Sequence, residues 1–375
     1  MSSYMVCTTL ADIPLPPFDN SASDGYAVRS SDVRGASRET PIRLSIIGES
    51  IAGGPFGGRV VSGTSVVILT GAPMPAGADA VIRVEDTSRE EDAVLIYRSV
   101  PIGNDVRLAG EDVQSGQAAL PAGTRIGPAA VGLLAALGRE KIDVRRRPKV
   151  VLFTTGDEVV PVGCELRPGQ IHNSNQYILT TLIQSSGGYL TEFLHLPDDP
   201  VAIRQAFHQA LAAGPDLLIT VGGVSVGERD YVKAVVEEMG DLILWKVAMK
   251  PGKPIAYGRL GSSHFFGLPG NPVSAMITFQ LFVHRAIARM SGADSPSLIL
   301  TAKLAAPIHH HPGRREFIRG YLESGEDLPI AVPSTGQGSA DLYGSVSTNA
   351  LIVVPEDCEG VEAGEKVKVQ LIGAF

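Results

Sequence analysis

The stretch KVVLFTTGDE, residues 149–158, begins as an apolar, β-branched run and ends in a polar turn with one glycine and two carboxylates. Further along, DLLITV (216–221) runs into the glycine-containing loop GGVSVGERD (222–230) in the same way. Segments with helical character accompany these runs, at residues 174–186, 200–213, 229–239 and 272–290. Alternation of strands and helices at these lengths is typical of βαβ units. Residues 146–292 are therefore predicted to form an α/β domain with a mainly parallel sheet.

The regions on either side of this segment have a different character. Residues 1 to about 140 are rich in Gly and Pro and contain short β-like runs, the pattern of a β-rich domain with small sheets. One short apolar helix is predicted there, at residues 128–138. Residues 295–375 return to β-like runs and predict a small β-barrel or a sandwich.

The composition excludes several classes of protein. Among 375 residues, 32 Lys and Arg face 40 Asp and Glu, and the net charge of −8 argues against a nucleic-acid partner. An apolar fraction of 44% is too high for a disordered chain, and no apolar run is long enough for a membrane span. The N-terminal sequence lacks the pattern of a signal peptide. Three scattered cysteines fit neither a disulfide framework nor a CxxC metal site, which favours a cytoplasmic protein.

Polar residues collect where the predicted parallel strands end. Ligands bind at the carboxyl ends of the strands in open α/β sheets. Four polar loops fall at such ends here, at residues 154–158, 196–200, 221–230 and 268–274. A purely structural sheet would need polar turns equally at both ends. The four loops are therefore predicted to converge on one rim that holds the functional site.

The third of these loops contains Gly222, Gly223 and Ser225 and precedes a predicted helix. Glycines let backbone N–H groups approach an anion, and a helix N-terminus favours negative charge. The glycine spacing does not fit the GxGxxG dinucleotide motif, and a P-loop would need Lys-Ser/Thr where Glu-Arg follows Gly227. The serine favours phosphate binding over the alternative, a tight turn from strand to helix.

Lysines and carboxylates follow in the same part of the chain. Strand spacing predicts that Lys246 and Lys250 lie on one face, and Lys253 lies on a turn stiffened by proline. Lysines on a buried strand are costly unless anions meet them. The lysines therefore have two possible interpretations: they line a pocket for a polyanion, or they lie on an edge strand and are solvated. Acidic groups beside such a pocket suggest hydrated Mg²⁺ that bridges carboxylate and phosphate oxygens, with candidates Asp157, Glu158, Asp198 and Asp230.

Two further polar features are interpreted as structural. Asp199 directly precedes Pro200 and is the expected cap of a helix. The triplet His309–His311 lies beside a Pro-Gly turn and indicates an exposed turn, because three adjacent side chains cannot all point at one ion. No HExxH, GxSxG, Cys/His cluster or triad arrangement occurs in the sequence. Covalent catalysis and zinc hydrolysis are therefore poorly supported.

A set of short polar and glycine-containing motifs is also spread along the chain. They are PPFDNSASDGYAV (16–28), LTGAPMPAGADAVIRVEDT (69–87), GEDV (110–113), TTGDEV (154–159), GGVSVGERDY (222–231), KPGKP (250–254), LPGNPVSA (268–275), GRREF (313–317) and STGQGS (334–339). Together they resemble the MoeA family, the molybdopterin molybdenumtransferases, which includes the gephyrin E domain. The resemblance covers about residues 14–375, and a joint match of this kind is very specific.

The resemblance implies an L-shaped homodimer of four-domain subunits. Residues 1–17 and 119–145 would be the remnant of a helical dimerisation domain, 18–118 a β-rich domain, 146–292 the molybdopterin-binding α/β domain and 293–375 the C-terminal β-barrel. The family's reaction uses adenylylated molybdopterin and molybdate. Mg²⁺-dependent cleavage of the phosphoanhydride inserts molybdenum into the dithiolene and releases AMP. The implied protein partners, in the cytoplasm, are a molybdopterin adenylyltransferase and molybdoenzyme chaperones.

The resemblance also implies roles for individual residues. Gly222, Gly223 and Ser225 match positions that bind the nucleotide and its phosphate. Positions implicated in holding the molybdate oxyanion are matched by Lys250, Lys253, Ser274, Arg314 and Ser339. The matched catalytic positions are Asp24, Thr70, Asp112, Glu158, Asp198, Asp230, Lys246 and Lys250. Of these, Asp24, Thr70 and Asp112 match positions that the partner subunit of the dimer contributes.

One departure from the family pattern concerns the N-terminus. Family members usually carry helical sequence ahead of the PPFDNSA motif, whereas some fifteen residues precede it here. Half of the dimerisation domain is therefore expected to be missing. Its loss would weaken the dimer and, with it, an active site that is shared between subunits. Three alternatives stay open: a shortened non-catalytic or regulatory paralogue that binds molybdopterin, a molybdopterin adenylyltransferase, and a scaffold of the gephyrin type. The flanking β domains argue against the second, and the lack of a long disordered linker argues against the third.

Overall fold

The computed structural model describes residues 4–223, 231–293 and 297–372. Its contacts divide the chain into two compact units. The first unit is residues 7–143, and the second is made of residues 4–6 together with those from 144 onward. In the described ranges, no helix combines the length and the apolar character that crossing a bilayer requires.

The first unit is rich in short strands, as predicted. Its elements are β1 (Thr9–Leu10), β2 (Asn20–Ser21), β3 (Gly25–Val28), β4 (Ile42–Ser50), β5 (Thr64–Ile68), β6 (Ala80–Arg83), β7 (Thr87–Arg89), β8 (Ala93–Ile96), β9 (Val106–Arg107), β10 (Ala118–Leu120) and α1 (Pro128–Ala136). Six strands form one sheet in the order β6-β3-β5-β4-β8-β7, in which only β4 and β5 pair in parallel. Alternate residues of β4, such as Leu44, point into an apolar core beneath this sheet.

The helix predicted at residues 128–138 is present as α1. Pro128 occupies its first turn, where a missing N–H is harmless, and Gly138 takes the left-handed conformation just after its end. Its residues Ala130 and Leu134 pack with Leu120 of β10. Val131 lies on another face of α1 and is exposed, so the helix presents apolar side chains to the outside as well as to its core.

The second unit begins with an α/β arrangement. Its elements are β11 (Lys149–Thr155), β12 (Val159–Val160), β13 (Ile171–His172), α2 (Ser174–Ser185), β14 (Tyr189–Leu196), α3 (Pro200–Ala212), β15 (Leu217–Val221), α4 (Tyr231–Met239), β16 (Asp241–Trp245), β17 (Met249–Lys250), β18 (Ala256–Leu260), β19 (Ser263–Leu268), α5 (Pro272–Thr278) and α6 (His284–Met290). A π-helical turn, Phe279–Val283, joins α5 to α6, so the long helix predicted at 272–290 is continuous.

The central sheet has the order β14-β11-β15-β19-β18-β16 and is mixed. The four strands β14, β11, β15 and β19 pair in parallel, whereas β18 pairs antiparallel with β19, and β16 pairs antiparallel with β18 at the edge. The prediction of a mainly parallel sheet is therefore confirmed only for its first four strands. A two-residue turn with Gly261 in the left-handed conformation joins β18 to β19, and so short a connection permits only an antiparallel pair.

Helices cover both faces of this sheet because the strand side chains alternate. Val150 and Leu152 of β11 pack with α2, α5 and α6, whereas Val151 and Phe153 pack with α3 and α4 on the opposite face. The central strand β11 is therefore apolar on both sides, as buried parallel strands usually are. Burial on both faces leaves the strand ends as the place where polar groups can gather.

The C-terminal part of the second unit is a closed barrel. Its strands are β20 (Ile299–Leu304), β21 (Ile308–His309), β22 (Arg315–Glu323), β23 (Ile330–Pro333), β24 (Ala350–Val354), β25 (Gly360–Val361) and β26 (Lys366–Leu371). The ring β22-β23-β20-β26-β24 closes through the pairing of β24 with β22. Of the two predicted alternatives, a barrel or a sandwich, the structure has the barrel. The short strand β17 also pairs with β22, so Lys250 lies on the edge of the barrel sheet.

Candidate functional site

A cavity of about 640 Å³ lies at the carboxyl ends of the parallel strands. All four loops that the sequence predicted to converge contribute to it. Thr155 and Glu158 come from the loop after β11, Asp198 from the loop after β14, and Gly223 from the loop after β15. The segment from Pro269 to Pro272, between β19 and α5, comes from the fourth loop, and Val159, the stretch 171–175, Pro254 and Ala340 also line the cavity. The predicted convergence of the four loops is therefore confirmed.

The glycines after β15 are required by the turn itself. Gly222 and Gly223 have φ values of +93° and +66°, which side chains rarely tolerate. A Cβ atom at Gly222 would lie 2.7 Å from the hydroxyl of Thr155, and one at Gly223 would lie 2.6 Å from Val232. The N–H of Gly222 donates to the carbonyl of Leu268. Gly222 therefore shapes the turn and does not offer its own N–H to a phosphate.

Three of the four predicted metal-binding carboxylates lie in the described part of the chain. Glu158 and Asp198 line the large cavity. Asp157 accepts a hydrogen bond from the backbone N–H of Asp198 at 3.2 Å and so links two of the loops. No group of three or more acidic, His or Cys side chains in the described ranges is close enough to hold a metal ion. Ser225 and Asp230 lie outside the described residues.

Asp199 caps α3, as predicted. Its carboxylate accepts hydrogen bonds from the N–H groups of Val201 and Ala202, and Pro200 occupies the first turn. This cap explains Asp199 without a role in binding, whereas its neighbour Asp198 faces the cavity.

A second cavity, of about 360 Å³, lies beside the first. Pro254, Pro269 and Asn271 line both of them. The second cavity brings together the five residues that the family resemblance associates with the oxyanion, which are Lys250, Lys253, Ser274, Arg314 and Ser339. These residues come from β17, the turn after it, α5 and two segments of the barrel. The arrangement is a cationic pocket with two hydroxyl groups.

Ser339 is held so that its hydroxyl can donate. Its Oγ accepts a hydrogen bond from Nδ2 of Asn271 at 2.9 Å, which leaves the hydroxyl proton free to face a ligand. Its carbonyl accepts from the N–H of Val273. These two contacts join the barrel loop to the start of α5, where Ser274 is also found.

The loop that carries Ser339 is folded around Arg319, a fully buried residue of β22. The guanidinium donates hydrogen bonds to the carbonyls of Gly336, Gly338 and Asp341 and to the hydroxyl of Ser345. Burial disfavours the charge and lowers the pKa of Arg319 from its usual high value. This role could not be predicted from the sequence, because nothing local distinguishes Arg319 from a surface arginine.

Lys246 does not lie where strand spacing predicted. Strand β16 ends at Trp245, and Lys246 adopts a left-handed conformation with φ +67°. Its Nζ lies 3.8 Å from the centre of the Trp245 ring, which also carries Lys233 at 4.2 Å. Lys250 belongs to a separate strand, β17. The prediction that Lys246 and Lys250 share one strand face is therefore wrong, because the left-handed residue breaks the strand between them.

The interpretation of His309–His311 as an exposed turn is wrong for its central residue. His310 is buried, and its Nδ1 donates a hydrogen bond of 2.8 Å to Oε2 of Glu316. The other carboxylate oxygen of Glu316 lies 2.7 Å from Nζ of Lys250. Glu316 was not singled out from the sequence, although it is the fourth residue of the GRREF motif.

In the first unit, Asp24 and Thr70 lie together. One carboxylate oxygen of Asp24 accepts hydrogen bonds from the N–H of Thr70 at 2.7 Å and from its hydroxyl at 2.8 Å. The backbone donor first, and then the hydroxyl, lowers the pKa of Asp24 from its ordinary value. Asp112 belongs to a different turn, in which its N–H donates to the carbonyl of Leu15.

The chain matches three protein-family profiles. They are "MoeA N-terminal region (domain I and II)" over residues 3–138, "Probable molybdopterin binding domain" over 151–289 and "MoeA C-terminal region (domain IV)" over 301–372. A protein from Haemophilus influenzae named molybdopterin molybdenumtransferase is 40% identical over 369 residues, covering 96% of this chain and 89% of that protein. The chain belongs to the MoeA family.

Further relatives agree with this membership. A molybdopterin molybdenumtransferase from Nostoc sp. is 35% identical over 95% of this chain and 83% of its own length. The crystal structure of a molybdopterin biosynthesis MoeA protein from Pyrococcus horikoshii matches with a TM-score of 0.85 at 33% identity, covering 99% of this chain and 92% of that one. The MoeA-type multidomain fold, with its α/β domain and closed barrel, is thus common to this chain and a solved relative.

Proposed function

We propose that this protein catalyses molybdenum insertion in molybdenum cofactor biosynthesis, with adenylylated molybdopterin and molybdate as its substrates. The observation that carries the proposal is the pair of adjoining cavities in the second unit. One lies at the strand ends, where phosphates bind in α/β sheets, and the other is lined by cationic and hydroxyl groups. Relatives that are 35–40% identical over almost the whole chain are named molybdopterin molybdenumtransferase.

The larger cavity is the proposed site for adenylylated molybdopterin. Its volume of about 640 Å³ lies within the range of sites for small organic ligands. The loop with Gly223 and Ser225 is proposed to receive the phosphates, because a glycine turn lets the backbone approach an anion closely. Gly222 was predicted to contact the nucleotide and phosphate; we propose that it serves the loop by allowing the turn.

The smaller cavity is the proposed molybdate site. Molybdate is a doubly charged tetrahedral oxyanion, and hydrogen bonds from charged donors to such an anion are short and strong. Lys250, Lys253 and Arg314 supply the charge, and Ser274 and Ser339 supply hydroxyl donors. The shared wall at Asn271 keeps the oxyanion close to a substrate in the larger cavity.

Mg²⁺ is proposed to bind at the carboxylates of the larger cavity. Glu158 and Asp198 are suitable ligands, and Asp157 steadies the loop of Asp198 through its backbone N–H. A pair of carboxylates fits Mg²⁺, which usually takes one or two carboxylates together with phosphate oxygens and water. When bound, Mg²⁺ would neutralise charge on the phosphoanhydride that is cleaved. Asp230 stays a predicted ligand of the same ion, and a catalytic role for Lys246 also stays a prediction.

A homodimer is proposed as well, in which Asp24, Thr70 and Asp112 act in the active site of the partner subunit. Asp24 is exposed, and its hydrogen bonds from the N–H and hydroxyl of Thr70 fix the orientation of a carboxylate that could act in such a site. Val131, which is exposed on the outer face of α1, is proposed to be covered by the second copy. A mass by light scattering near twice 39.4 kDa would support the dimer, and a mass near 39.4 kDa would contradict it. The cytoplasmic location and the further protein partners also stay predictions.

The test of the proposed activity is a reaction with purified protein, adenylylated molybdopterin, Mg²⁺ and molybdate. We expect AMP to be released only when molybdate is present, together with a pterin that carries molybdenum. The alternatives give different results in the same assay. An adenylyltransferase would form adenylylated molybdopterin from ATP and molybdopterin, and a non-catalytic paralogue would bind the substrate without turnover.

A further inference from the structure

Glu316 is a buried carboxylate with two different partners. Its side chain is 6% exposed, with one oxygen 2.7 Å from Nζ of Lys250 and the other 2.8 Å from Nδ1 of His310. The His310 side chain is 2% exposed, so the pair lies beneath the wall of the smaller cavity. The proposed reaction does not by itself call for either residue.

The contact with Lys250 follows from strand register. Residues 250 and 316 are direct partners across the parallel pair β17 and β22. Side chains of direct partners lie on the same face of a sheet. The Lys250 side chain remains 54% exposed, so its ammonium group reaches the cavity although Glu316 fixes it from below. A long lysine side chain has many rotamers, and a buried anchor removes most of that freedom.

The contact with His310 restrains Glu316 in turn. A carboxylate has only lone pairs to offer, so Nδ1 of His310 must carry the proton that lies between the two groups. The opposite ring nitrogen, Nε2, is buried and has no hydrogen-bond partner among the described residues. The ring is therefore held on one side only, by Glu316. Burying an imidazole with one nitrogen unsatisfied is costly, so an arrangement that retains it calls for an explanation.

Glu316 does not cancel the attraction of the cavity for anions. The lining contains the cationic side chains of Lys250, Lys253 and Arg314, and Glu316 is a single opposing charge. A carboxylate whose purpose was to repel anions would need no histidine to fix its orientation. The contacts instead form a chain that runs from the buried ring through the carboxylate to the ammonium group.

We infer that Glu316 and His310 are positioning residues, which hold the Lys250 ammonium group in the orientation that binds the oxyanion. This inference rests on the proposed function of the smaller cavity. It predicts that Glu316→Gln weakens molybdate binding although it makes the cavity more positive. It also predicts that His310 acts only through its Nδ1–H donor. Asparagine can present a similar donor at that place, and leucine cannot.

The experiment measures KM for molybdate and kcat of AMP release with the full chain, and molybdate binding by calorimetry without the pterin substrate. Glu316→Gln and His310→Leu should each raise KM and the dissociation constant for molybdate about tenfold, with KM for adenylylated molybdopterin unchanged. His310→Asn should stay within about twofold of the unmodified chain. Arg315→Gln is the matched control, because Arg315 is the neighbour of Glu316 in β22 and forms an exposed ion pair with Glu356.

A double-mutant cycle covers the case in which a variant is less stable. If Glu316 acts through Lys250, Glu316→Gln should add no further loss of molybdate binding to Lys250→Met. Unchanged or tighter molybdate binding in Glu316→Gln would overturn the inference, as would equal losses in His310→Asn and His310→Leu or additive losses in the cycle. If the unmodified chain binds molybdate but releases no AMP, the proposed function fails and the binding measurements still decide the positioning role. If it binds no molybdate, the inference fails as well.

Discussion

The two cavities of the second unit are built in different ways. The larger one is lined mainly by loops that directly follow strands of the central sheet, so its position is largely a property of the α/β topology. The smaller one is assembled from residues between Lys250 and Ser339, which lie far apart in sequence and belong to both the α/β part and the barrel. The first kind of site can be predicted from strand and helix patterns alone. The second depends on a tertiary contact, the pairing of β17 with β22.

Replacing Lys250 should distinguish the roles of the two cavities most clearly. Lys250→Met removes a charged donor from the smaller cavity and leaves the larger lining unchanged. We expect molybdate-dependent AMP release to fall about 10²- to 10³-fold, as when one donor to a developing anion is removed. Calorimetric binding of adenylylated molybdopterin should persist. A parallel loss of pterin binding would show that the cavities are not independent.

The converse change lies in the larger cavity. Glu158→Gln keeps the shape of the side chain but removes a proposed Mg²⁺ ligand. AMP release should fall about 10- to 100-fold, and the Mg²⁺ concentration for half-maximal rate should rise. Molybdate affinity, measured by calorimetry, should not change. Glu165→Gln, in the exposed segment between β12 and β13, is a control for the loss of a carboxylate elsewhere in the unit.

The turn after β15 tests whether the larger cavity depends on local backbone geometry. A methyl group at Gly223 would meet Val232 at 2.6 Å and would also strain a residue with φ +66°. Gly223→Ala should lower the free energy of unfolding by about 3 kcal/mol. Gly214 has a similar φ of +62° and open space around it, so Gly214→Ala should cost only about 1 kcal/mol. Equal costs in urea denaturation would remove the steric explanation.

Asp24, in the first unit, is an exposed carboxylate whose main hydrogen-bond donor is the backbone N–H of Thr70. Thr70→Val removes the hydroxyl donor and keeps the stronger backbone donor, so the pKa of Asp24 should rise only part of the way to its ordinary value. Because the folded pKa is depressed, these hydrogen bonds favour the folded chain above the unfolded pKa of about 3.9. That contribution is lost as the pH falls through the folded pKa. Carbon NMR titration of the carboxyl group measures the change, and full restoration of the ordinary pKa would contradict the assignment.

The sequence predicted the strand-end rim because local patterns determine it. Apolar strands, helix caps such as Asp199 and glycine turns are all local signals, and each was found near its predicted place. The prediction that Lys246 shares a strand face with Lys250 was wrong because strand spacing assumes an unbroken strand. A left-handed residue ends β16 at that point. A hydrophobic or charge periodicity in the sequence does not reveal a single residue with a left-handed backbone conformation.

His310 and Arg319 could not be found in the same way. The burial of His310 depends on Glu316, which is brought to it by the folding of the barrel. Arg319 is buried because loop carbonyls from residues 336–341 surround it, and nothing near it in sequence indicates this. The five oxyanion residues were identified by resemblance to the MoeA family, and their gathering in one cavity is what the structure adds.

The central claim is that the smaller cavity is the oxyanion site. Tungstate has the charge and shape of molybdate, and tungsten scatters X-rays anomalously, so crystals soaked in tungstate test the claim directly. We expect an anomalous peak within hydrogen-bond distance of Lys250, Ser274 and Ser339, and we expect it to be lost in Lys250→Met crystals. A tungsten peak among the carboxylates of the larger cavity, or none in the smaller one at saturating tungstate, would contradict it.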